Sequence, residues 1–127
     1  MSNPSHQPLV ILIDDEPDTQ SLFQDVMAFL EMDLKVAHDG QSARSLLAQI
    51  KPDAILLDIF LPDTDGYKLL QEIRAMPDLS DCPVIATTGY YTTDSPEAII
   101  KHGFNALLLK PYDPQHVVEV LKEMVPR

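Results

Sequence analysis

The feature of this sequence that most constrains its fold is a regular alternation of short apolar runs with amphipathic segments. The apolar runs are rich in Val, Ile, Leu and Ala and lie at residues 9–13, 34–37, 54–57, 84–87 and 106–109. Continuous apolar runs of this length are typical of strands that are buried on both faces, as in a parallel sheet. The sequence therefore predicts five parallel strands.

The segments that separate and follow these runs have the spacing of amphipathic helices. Their apolar stripes are Leu22, Val26 and Phe29 or Leu30; Ala43, Leu46, Leu47 and Ile50; Leu69, Leu70 and Ile73; and Val117, Val120, Leu121 and Met124. A weaker helix is expected over 98–100, because Ser95 can cap it and Pro96 fits its first turn. Asp113 and Pro114 begin the last helix in the same way. Alternating strands and helices predict an α/β fold with right-handed crossovers.

A chain of 127 residues is close to the commonest size of a single domain. We expect residues 1–8 to form a flexible tail and residues 9–125 to form the domain, with no effector domain in this chain. The hydrophobic content of 45% is ordinary for a globular protein and too high for a disordered one.

The charge of the chain limits its partners, since 9 basic residues stand against 20 acidic ones and give a net charge of -11. This field repels nucleic-acid backbones and anionic membrane surfaces, so a bound cation or a basic protein partner is favoured. No apolar run approaches the roughly 20 residues of a membrane helix, and the first nine residues lack the pattern of a signal peptide. A single cysteine, Cys82, suits a reducing compartment, and we expect a cytoplasmic location.

Polar residues lie at the ends of four of the predicted strands. They are Asp14, Asp15 and Glu16 after the first strand, Asp58 after the third, Thr87, Thr88 and Gly89 at the end of the fourth, and Lys110 and Pro111 after the fifth. In an open parallel sheet, ligands bind beyond the carboxyl ends of the strands. One acid in such a position is usually a turn or capping residue. Their occurrence at the matched ends of four strands predicts one shared site.

The residue types at these strand ends indicate the chemistry of the site. Carboxylates crowded within ~5 Å repel each other by about 3 kcal/mol per pair at an effective dielectric near 20. The lone ammonium of Lys110 cannot neutralise the three acids Asp14, Asp15 and Asp58, whereas a divalent cation can. Oxygen ligands without histidine or cysteine indicate Mg²⁺ or Mn²⁺. An aspartate that faces a metal-bound phosphate is a competent nucleophile, so the pattern predicts phosphoryl transfer onto a carboxylate.

These residues lie in four motifs that occur in the order and at the spacing of a known family. The motifs are Ile-Asp-Asp-Glu-Pro at 13–17, Leu-Leu-Asp-Ile-Phe-Leu-Pro-Asp-Thr-Asp-Gly at 56–66, Pro-Val-Ile-Ala-Thr-Thr-Gly at 83–89 and Leu-Lys-Pro at 109–111. From Ile11 to its end the chain resembles the receiver domain of bacterial two-component response regulators, in particular the single-domain receivers of chemotaxis. The resemblance implies a flavodoxin-like three-layer sandwich with the doubly wound strand order 2-1-3-4-5.

The resemblance also implies the roles of the acidic residues. Asp58 is expected to accept the phosphoryl group as 4-aspartylphosphate. Mg²⁺ or Mn²⁺ is expected to be held by Asp15, Asp58 and the backbone carbonyl of Phe60. Asp14 is expected to order the waters of the metal.

The same resemblance assigns the residues around the phosphoryl group. Thr88, rather than Thr87, aligns with the hydroxyl that senses the phosphate. Gly89 leaves room for the phosphoryl group, and Lys110 pairs with one of its oxygens. The peptide bond between Lys110 and Pro111 is expected to be cis, and Gly66 is expected to begin the third helix.

Two features depart from the family pattern. Many relatives have an aromatic residue three positions before the lysine, where this chain has Leu107, so the usual aromatic switch is in question. Tyr112, just beyond the lysine, is expected to shape its loop. Phe60 and Tyr90 flank the expected phosphorylation pocket and carry no group that orients water, from which we expect a long-lived acyl phosphate.

These observations predict a receiver that takes a phosphoryl group from a histidine kinase or histidine phosphotransfer protein and then alters its binding to an unidentified protein target. Such a chain is not a turnover enzyme, and we expect a monomer or weak homodimer. An alternative is a receiver-like interaction module that is not switched by phosphorylation, which Leu107 favours. A second alternative, an aspartyl-phosphate phosphohydrolase, needs a second acid where this chain has Phe60.

Overall fold

Strands and helices alternate along the computed structural model, which describes residues 7–89 and 94–126. The strands are β1 (Leu9–Ile13), β2 (Asp33–Ala37), β3 (Ala54–Asp58), β4 (Val84–Thr88) and β5 (Ala106–Leu109). The helices are α1 (Pro17–Leu30), α2 (Gly40–Leu47), α3 (Gly66–Ala75), α4 (Pro96–Lys101) and α5 (Pro114–Met124), with a short 3₁₀ helix at Pro77–Leu79. The alternation agrees with the sequence pattern, and Gly66 begins α3 as expected.

The strands form one parallel sheet in the order β2-β1-β3-β4-β5. In its register, Ile13 of β1 pairs with Leu57 of β3, and Asp58 pairs with Thr87 of β4. The carboxyl ends of the strands therefore meet at one edge of the sheet. The predicted doubly wound fold is confirmed.

Helices cover both faces of the sheet and divide the core into two layers. On one face the helical residues of the core come from α1 and α5: Phe23, Val26, Met27, Leu30, Val117 and Leu121. On the other face they come from α2, α3 and α4: Ala43, Leu47, Leu69, Leu70, Ile73 and Ile99. Successive residues of each strand point to opposite faces of the sheet, and helices cover both faces. β1 and β3 are therefore buried along almost their whole length.

The structure differs from the sequence prediction at several boundaries. β3 and β4 extend one residue further than expected, to Asp58 and Thr88, and β2 begins at Asp33. The expectation that every strand is buried on both faces is wrong for the two edge strands. β2 alternates exposed with partly buried residues, and in β5 only Leu108 is buried. Helix α2 ends at Leu47, so Ile50 of the predicted stripe lies beyond it.

In α1, the choice left open between Phe29 and Leu30 falls to Leu30. Its side chain is buried, whereas the side chain of Phe29 is 74% exposed. Phe23, which the predicted stripe did not include, is fully buried and packs edge-on against Tyr112 with ring centroids 5.4 Å apart. The apolar stripe of α1 therefore packs against the sheet and against the loop after β5.

The predicted starts of the last two helices are confirmed. Ser95 accepts a hydrogen bond from the Ala98 N–H at 3.1 Å, and Asp113 accepts one from the Gln115 N–H at 3.1 Å. Each helix has proline in its first turn, where the missing N–H removes no helical hydrogen bond. Among the described residues, no helix has both the length and the apolar character needed to cross a membrane.

Candidate functional site

Two buried aspartates lie at the end of adjacent strands and form the floor of the site. Asp14 directly follows β1, and Asp58 is the last residue of β3; their exposed fractions are 0% and 1%. Oδ1 of Asp14 accepts a hydrogen bond from the Glu16 N–H at 2.8 Å, and Oδ1 of Asp58 accepts one from the Phe60 N–H at 3.0 Å. Each carboxylate is thus fixed by the turn that follows it, and one oxygen of each remains for other partners.

Lys110 brings a positive charge from β5 to these two oxygens. Its Nζ lies 3.6 Å from Oδ2 of Asp14 and 3.9 Å from Oδ2 of Asp58. The backbone positions it, since the Lys110 N–H donates to the Thr88 carbonyl at 2.7 Å and the peptide bond to Pro111 is cis, as predicted. The expected meeting of Asp14, Asp58 and Lys110 at one edge of the sheet is therefore found.

Glu16 is the third carboxylate of the site. Its Oε1 accepts a hydrogen bond from the Lys110 ammonium, and one oxygen each of Asp14, Glu16 and Asp58 lie within 4.8 Å of one another. Oδ2 of Asp14 is buried and has no hydrogen-bond partner. A cluster of carboxylate oxygens with one unpartnered atom fits a hard divalent cation such as Mg²⁺.

The electrostatics of the site show an excess of negative charge. The pKa of Asp58 is raised to about 7, mainly by burial and also by the charge of Asp14, against the opposing effects of the Phe60 N–H and the Lys110 charge. Burial raises the pKa of Asp14 as well. Burial works against the charged form of Lys110, but its hydrogen bond to Glu16 and the charge of Asp14 raise its pKa overall. One ammonium thus leaves the acids undercompensated.

The other predicted site residues lie around this cluster. Asp15 is exposed and is not part of the group of three carboxylates, so its role as a metal ligand stays a prediction. Thr88 and Gly89 are buried at the end of β4, where the Thr88 hydroxyl donates to the Gly89 carbonyl at 3.5 Å. Phe60, whose side chain is 45% exposed, holds Asp58 through its N–H. The roles of the Phe60 carbonyl, Thr88 and Gly89 also stay predictions.

The structure separates the two threonines of β4. Thr87 belongs to the face of the sheet that α1 and α5 cover. Its hydroxyl is buried beside the hydroxyl of Tyr112, and neither forms a hydrogen bond of normal geometry. Leu107 is partly buried and packs against the core on the opposite face. Tyr90, which was expected to flank the pocket, lies outside the described residues.

Sequence reasoning placed Glu16 among the residues at the strand ends but gave it no role in holding the metal. Its signal was present, because Glu16 belongs to the same acidic run as Asp14, but the family pattern directs attention to Asp15. Gln20 was also missed. Its side-chain amide donates to the Asp14 carbonyl at 2.9 Å and so ties the first turn of α1 to the end of β1.

Comparison with known proteins agrees with the geometry. The family model for the response regulator receiver domain matches residues 10–122. A 14.6 kDa protein encoded in the sodA1 3′ region of Leptolyngbya boryana is 30% identical over 114 residues, which cover 90% of this chain and 87% of that protein. The chain spans half the length or less of other curated regulators that it matches.

Two solved structures share both the fold and detectable sequence identity. A chain from Chloroflexus aurantiacus J-10-fl, described as a response regulator, is 25% identical with a TM-score of 0.88, covering 96% of this chain and 100% of its own. The receiver domain of sensor histidine kinase PA1611 from Pseudomonas aeruginosa PAO1 is 28% identical with a TM-score of 0.83, covering 94% and 98%. That structure has a magnesium ion coordinated in its active site cleft.

Members of this family are phosphoacceptors that bind Mg²⁺ at an acidic site and interact with histidine kinases or phosphotransfer proteins. In this chain Asp14, Glu16 and Asp58 form an acidic cluster at the end of the sheet. The chain belongs to the receiver-domain family of two-component response regulators.

Proposed function

We propose that this chain transmits a signal by accepting a phosphoryl group on Asp58 from a histidine kinase or histidine phosphotransfer protein, and by then changing its binding to a protein target. The observation that carries the proposal is the setting of the Asp58 carboxylate. Its Oδ1 is held by the Phe60 N–H at 3.0 Å, and its Oδ2 faces the Lys110 ammonium at 3.9 Å. The Phe60 N–H thus positions Oδ1, while Oδ2 is directed toward the positive charge of Lys110.

In the proposed step, a carboxylate oxygen of Asp58 attacks the phosphorus of a phosphohistidine. The bond from phosphorus to the imidazole nitrogen breaks with its electron pair on the nitrogen, and an acyl phosphate forms. Lys110 neutralises charge on a phosphoryl oxygen, as a compact ammonium does well. Thr88 donates its hydroxyl to another phosphoryl oxygen, and Gly89 leaves space beside it.

Asp15, Asp58 and the backbone carbonyl of Phe60 are the proposed ligands of Mg²⁺ or Mn²⁺, and Asp14 is proposed to order the waters of the metal. When bound, the cation supplies positive charge that offsets the charge of the transferred phosphoryl group. Oδ2 of Asp14, which accepts no hydrogen bond, and the group of carboxylate oxygens from Asp14, Glu16 and Asp58 support a divalent cation at this edge of the sheet.

We propose no turnover substrate. The position two residues after Asp58, where an aspartyl-phosphate phosphohydrolase has its second acid, holds Phe60. A cytoplasmic location belongs to the same proposal, because Cys82 is a buried free thiol and reduced thiols are usual in that compartment.

The test is incubation with a small phosphodonor and Mg²⁺, followed by intact-mass measurement. We expect one added phosphoryl group that is absent from Asp58→Asn and from samples with chelator. Asp25→Asn, which removes the same charge from an exposed position of α1, should behave as wild type. No added mass in wild type, or an equal addition in Asp58→Asn, would refute the proposal.

A further inference from the structure

The loop that joins β3 to α3 carries Phe60, and its two ends are held together tightly. The Gly66 N–H donates to the Ile59 carbonyl at 2.7 Å, and Phe60 and Asp65 form an antiparallel bridge. A Cβ on Gly66 would lie 2.6 Å from Cα of Ile59 and 2.7 Å from the carbonyl oxygen of Asp58. This close approach requires glycine, so the base of the loop has one packing arrangement.

The far end of this loop is fixed by Asp63. Its Oδ1 accepts a hydrogen bond from the Gly40 N–H at 2.7 Å, and its Oδ2 accepts one from the Gln41 N–H at 3.0 Å. These are the first N–H groups of α2, which lack partners within the helix, and a carboxylate there is also favoured by the helix dipole. The helix has its own capping residue, Asp39, which accepts from the Ser42 N–H at 2.7 Å. Asp63 therefore links the loop between β3 and α3 to the start of α2.

The contact between the loop and α2 is close as well as hydrogen-bonded. A Cβ on Gly40 would lie 2.6 Å from Cγ2 of Thr64 and 3.1 Å from Oδ1 of Asp63. Helix α2 is itself joined to α3 by two hydrogen bonds of 2.7 and 2.9 Å between the Arg44 guanidinium and the Glu72 carboxylate. The loop is thus bound to α2, which is in turn held by α3.

We propose that Asp63 is a positioning residue for the backbone carbonyl of Phe60 and so sets the affinity of the site for Mg²⁺. This inference rests on the proposed function, in which that carbonyl is a metal ligand. A backbone carbonyl can be placed only by the loop that contains it. With the base held at Gly66 and the far end held at Gly40 and Gln41, the loop is fixed before the cation arrives, and less conformational entropy is lost on binding.

The test is a titration of the unphosphorylated protein with Mg²⁺, followed through backbone amide signals in ¹⁵N–¹H NMR spectra. Groups that orient metal ligands change affinity by roughly 10- to 100-fold when lost, and we expect about tenfold weaker Mg²⁺ binding in Asp63→Ala. Asp63→Asn keeps one acceptor oxygen and should lie between wild type and Asp63→Ala. Asp25→Asn, the charge-matched control on α1, should bind Mg²⁺ as wild type does.

A second variant attacks the same contact from the other side. Gly40→Ala places a Cβ against Cγ2 of Thr64 and Oδ1 of Asp63 and so disturbs this contact without substituting Asp63 or any proposed ligand. It should therefore also weaken Mg²⁺ binding. Since both changes break one contact, the effect of the double variant Gly40→Ala, Asp63→Ala should be clearly less than the product of the single effects.

The outcomes separate the inference from the function on which it rests. If wild type binds Mg²⁺ and is phosphorylated but folded Asp63→Ala and Asp63→Asn bind it equally well, the positioning role is refuted and the proposed function stands. If Asp63→Ala does not fold, Asp63→Asn decides the question. If wild type itself fails to bind Mg²⁺, both proposals are wrong.

Discussion

Nζ of Lys110 lies 3.9 Å from Oδ2 of Asp58, although β5 and β3 are separated in the sheet by β4. The distance is spanned because Lys110 follows its strand directly and its long side chain returns across the end of β4. The side chain is 14% exposed, so its charge acts on the carboxylates with little screening by water. This pair of charges affects both the stability of the protein and the chemistry of the site.

Removing the ammonium should raise the pKa of Asp58 further. The charge of Lys110 opposes the effect of burial, which already raises that pKa to about 7. We expect an additional rise of about one unit in Lys110→Gln, measured by ¹³C NMR of the carboxyl group in the presence of chelator. Lys122→Gln, at an exposed position of α5, is the control. An unchanged or lower pKa in Lys110→Gln would contradict the pairing.

The raised pKa of Asp58 makes the stability of the metal-free protein depend on pH. At a pH between the ordinary pKa of Asp58, near 3.8, and its pKa in the folded state, about 7, the folded protein keeps a proton on Asp58 that the unfolded chain releases. The free energy of unfolding in chelator should therefore fall as the pH rises through this range. We expect Asp58→Asn to be more stable than wild type at about pH 8, by about 1–3 kcal/mol.

Urea denaturation of both proteins from about pH 5.5 to about pH 8 measures this difference. Over this range the carboxyls of Asp39 and Glu72, whose pKa values their hydrogen bonds lower, remain ionised in both states and do not change the stability with pH. Asp14, whose pKa burial also raises, acts in the same direction as Asp58. A wild-type stability that rises with pH, or a less stable Asp58→Asn, would argue against crowded acids.

Mg²⁺ affinity distinguishes Asp15 from Glu16 as the metal ligand. The charge of Glu16 is already compensated by Lys110, whereas Asp15 makes no hydrogen bond or ion pair with the described residues and can turn toward an ion. We therefore expect Asp15→Asn to weaken Mg²⁺ binding at least about tenfold, and Glu16→Gln by less than about threefold. The same NMR titration measures both. The reverse order would make Glu16 the ligand.

The lifetime of the acyl phosphate should depend on Phe60. Its side chain is 45% exposed beside Asp58 and carries no group that can orient an attacking water. We expect Phe60→Asn to hydrolyse faster, by about tenfold at most, because an amide positions water near the phosphoryl group. Decay of the phosphorylated mass with time measures the rate, with Phe60→Leu as the apolar control. Equal lifetimes in Phe60→Asn and wild type would refute this expectation.

The unpaired hydroxyl of Thr87 should cost stability. It is fully buried, and its contact with the Tyr112 hydroxyl falls short of a hydrogen bond of normal geometry. Valine has nearly the same shape without the polar group. We expect Thr87→Val to increase the free energy of unfolding by about 1 kcal/mol, measured by urea denaturation. A decrease would mean that this hydroxyl is hydrogen-bonded in solution. Tyr112→Phe removes the neighbouring unpaired hydroxyl and should change stability in the same direction.

Much of the fold followed from local patterns because those patterns reflect burial. A strand with helices on both faces has apolar residues at nearly every position, so β1, β3 and β4 were recognisable. The pattern was less informative at the edge, where β2 has one exposed side, and in α1, where both Phe29 and Leu30 fit the helical period. Only the rotation of α1 about its own axis, as it packs on the sheet, places Leu30 inside and Phe29 outside.

The sequence by itself determined which strands exist and that Asp14, Asp58 and Lys110 lie at the carboxyl ends of three of them, since such residues of parallel strands must share one edge. The tertiary structure decided which oxygens face the lysine, that Glu16 rather than Asp15 joins the buried acids, and that Asp63 ties the loop of Phe60 to α2. The physical reason is the distance along the chain over which each effect acts. Apolar periodicity acts between neighbours in the chain, whereas the direction of a side chain in a turn depends on contacts with distant residues.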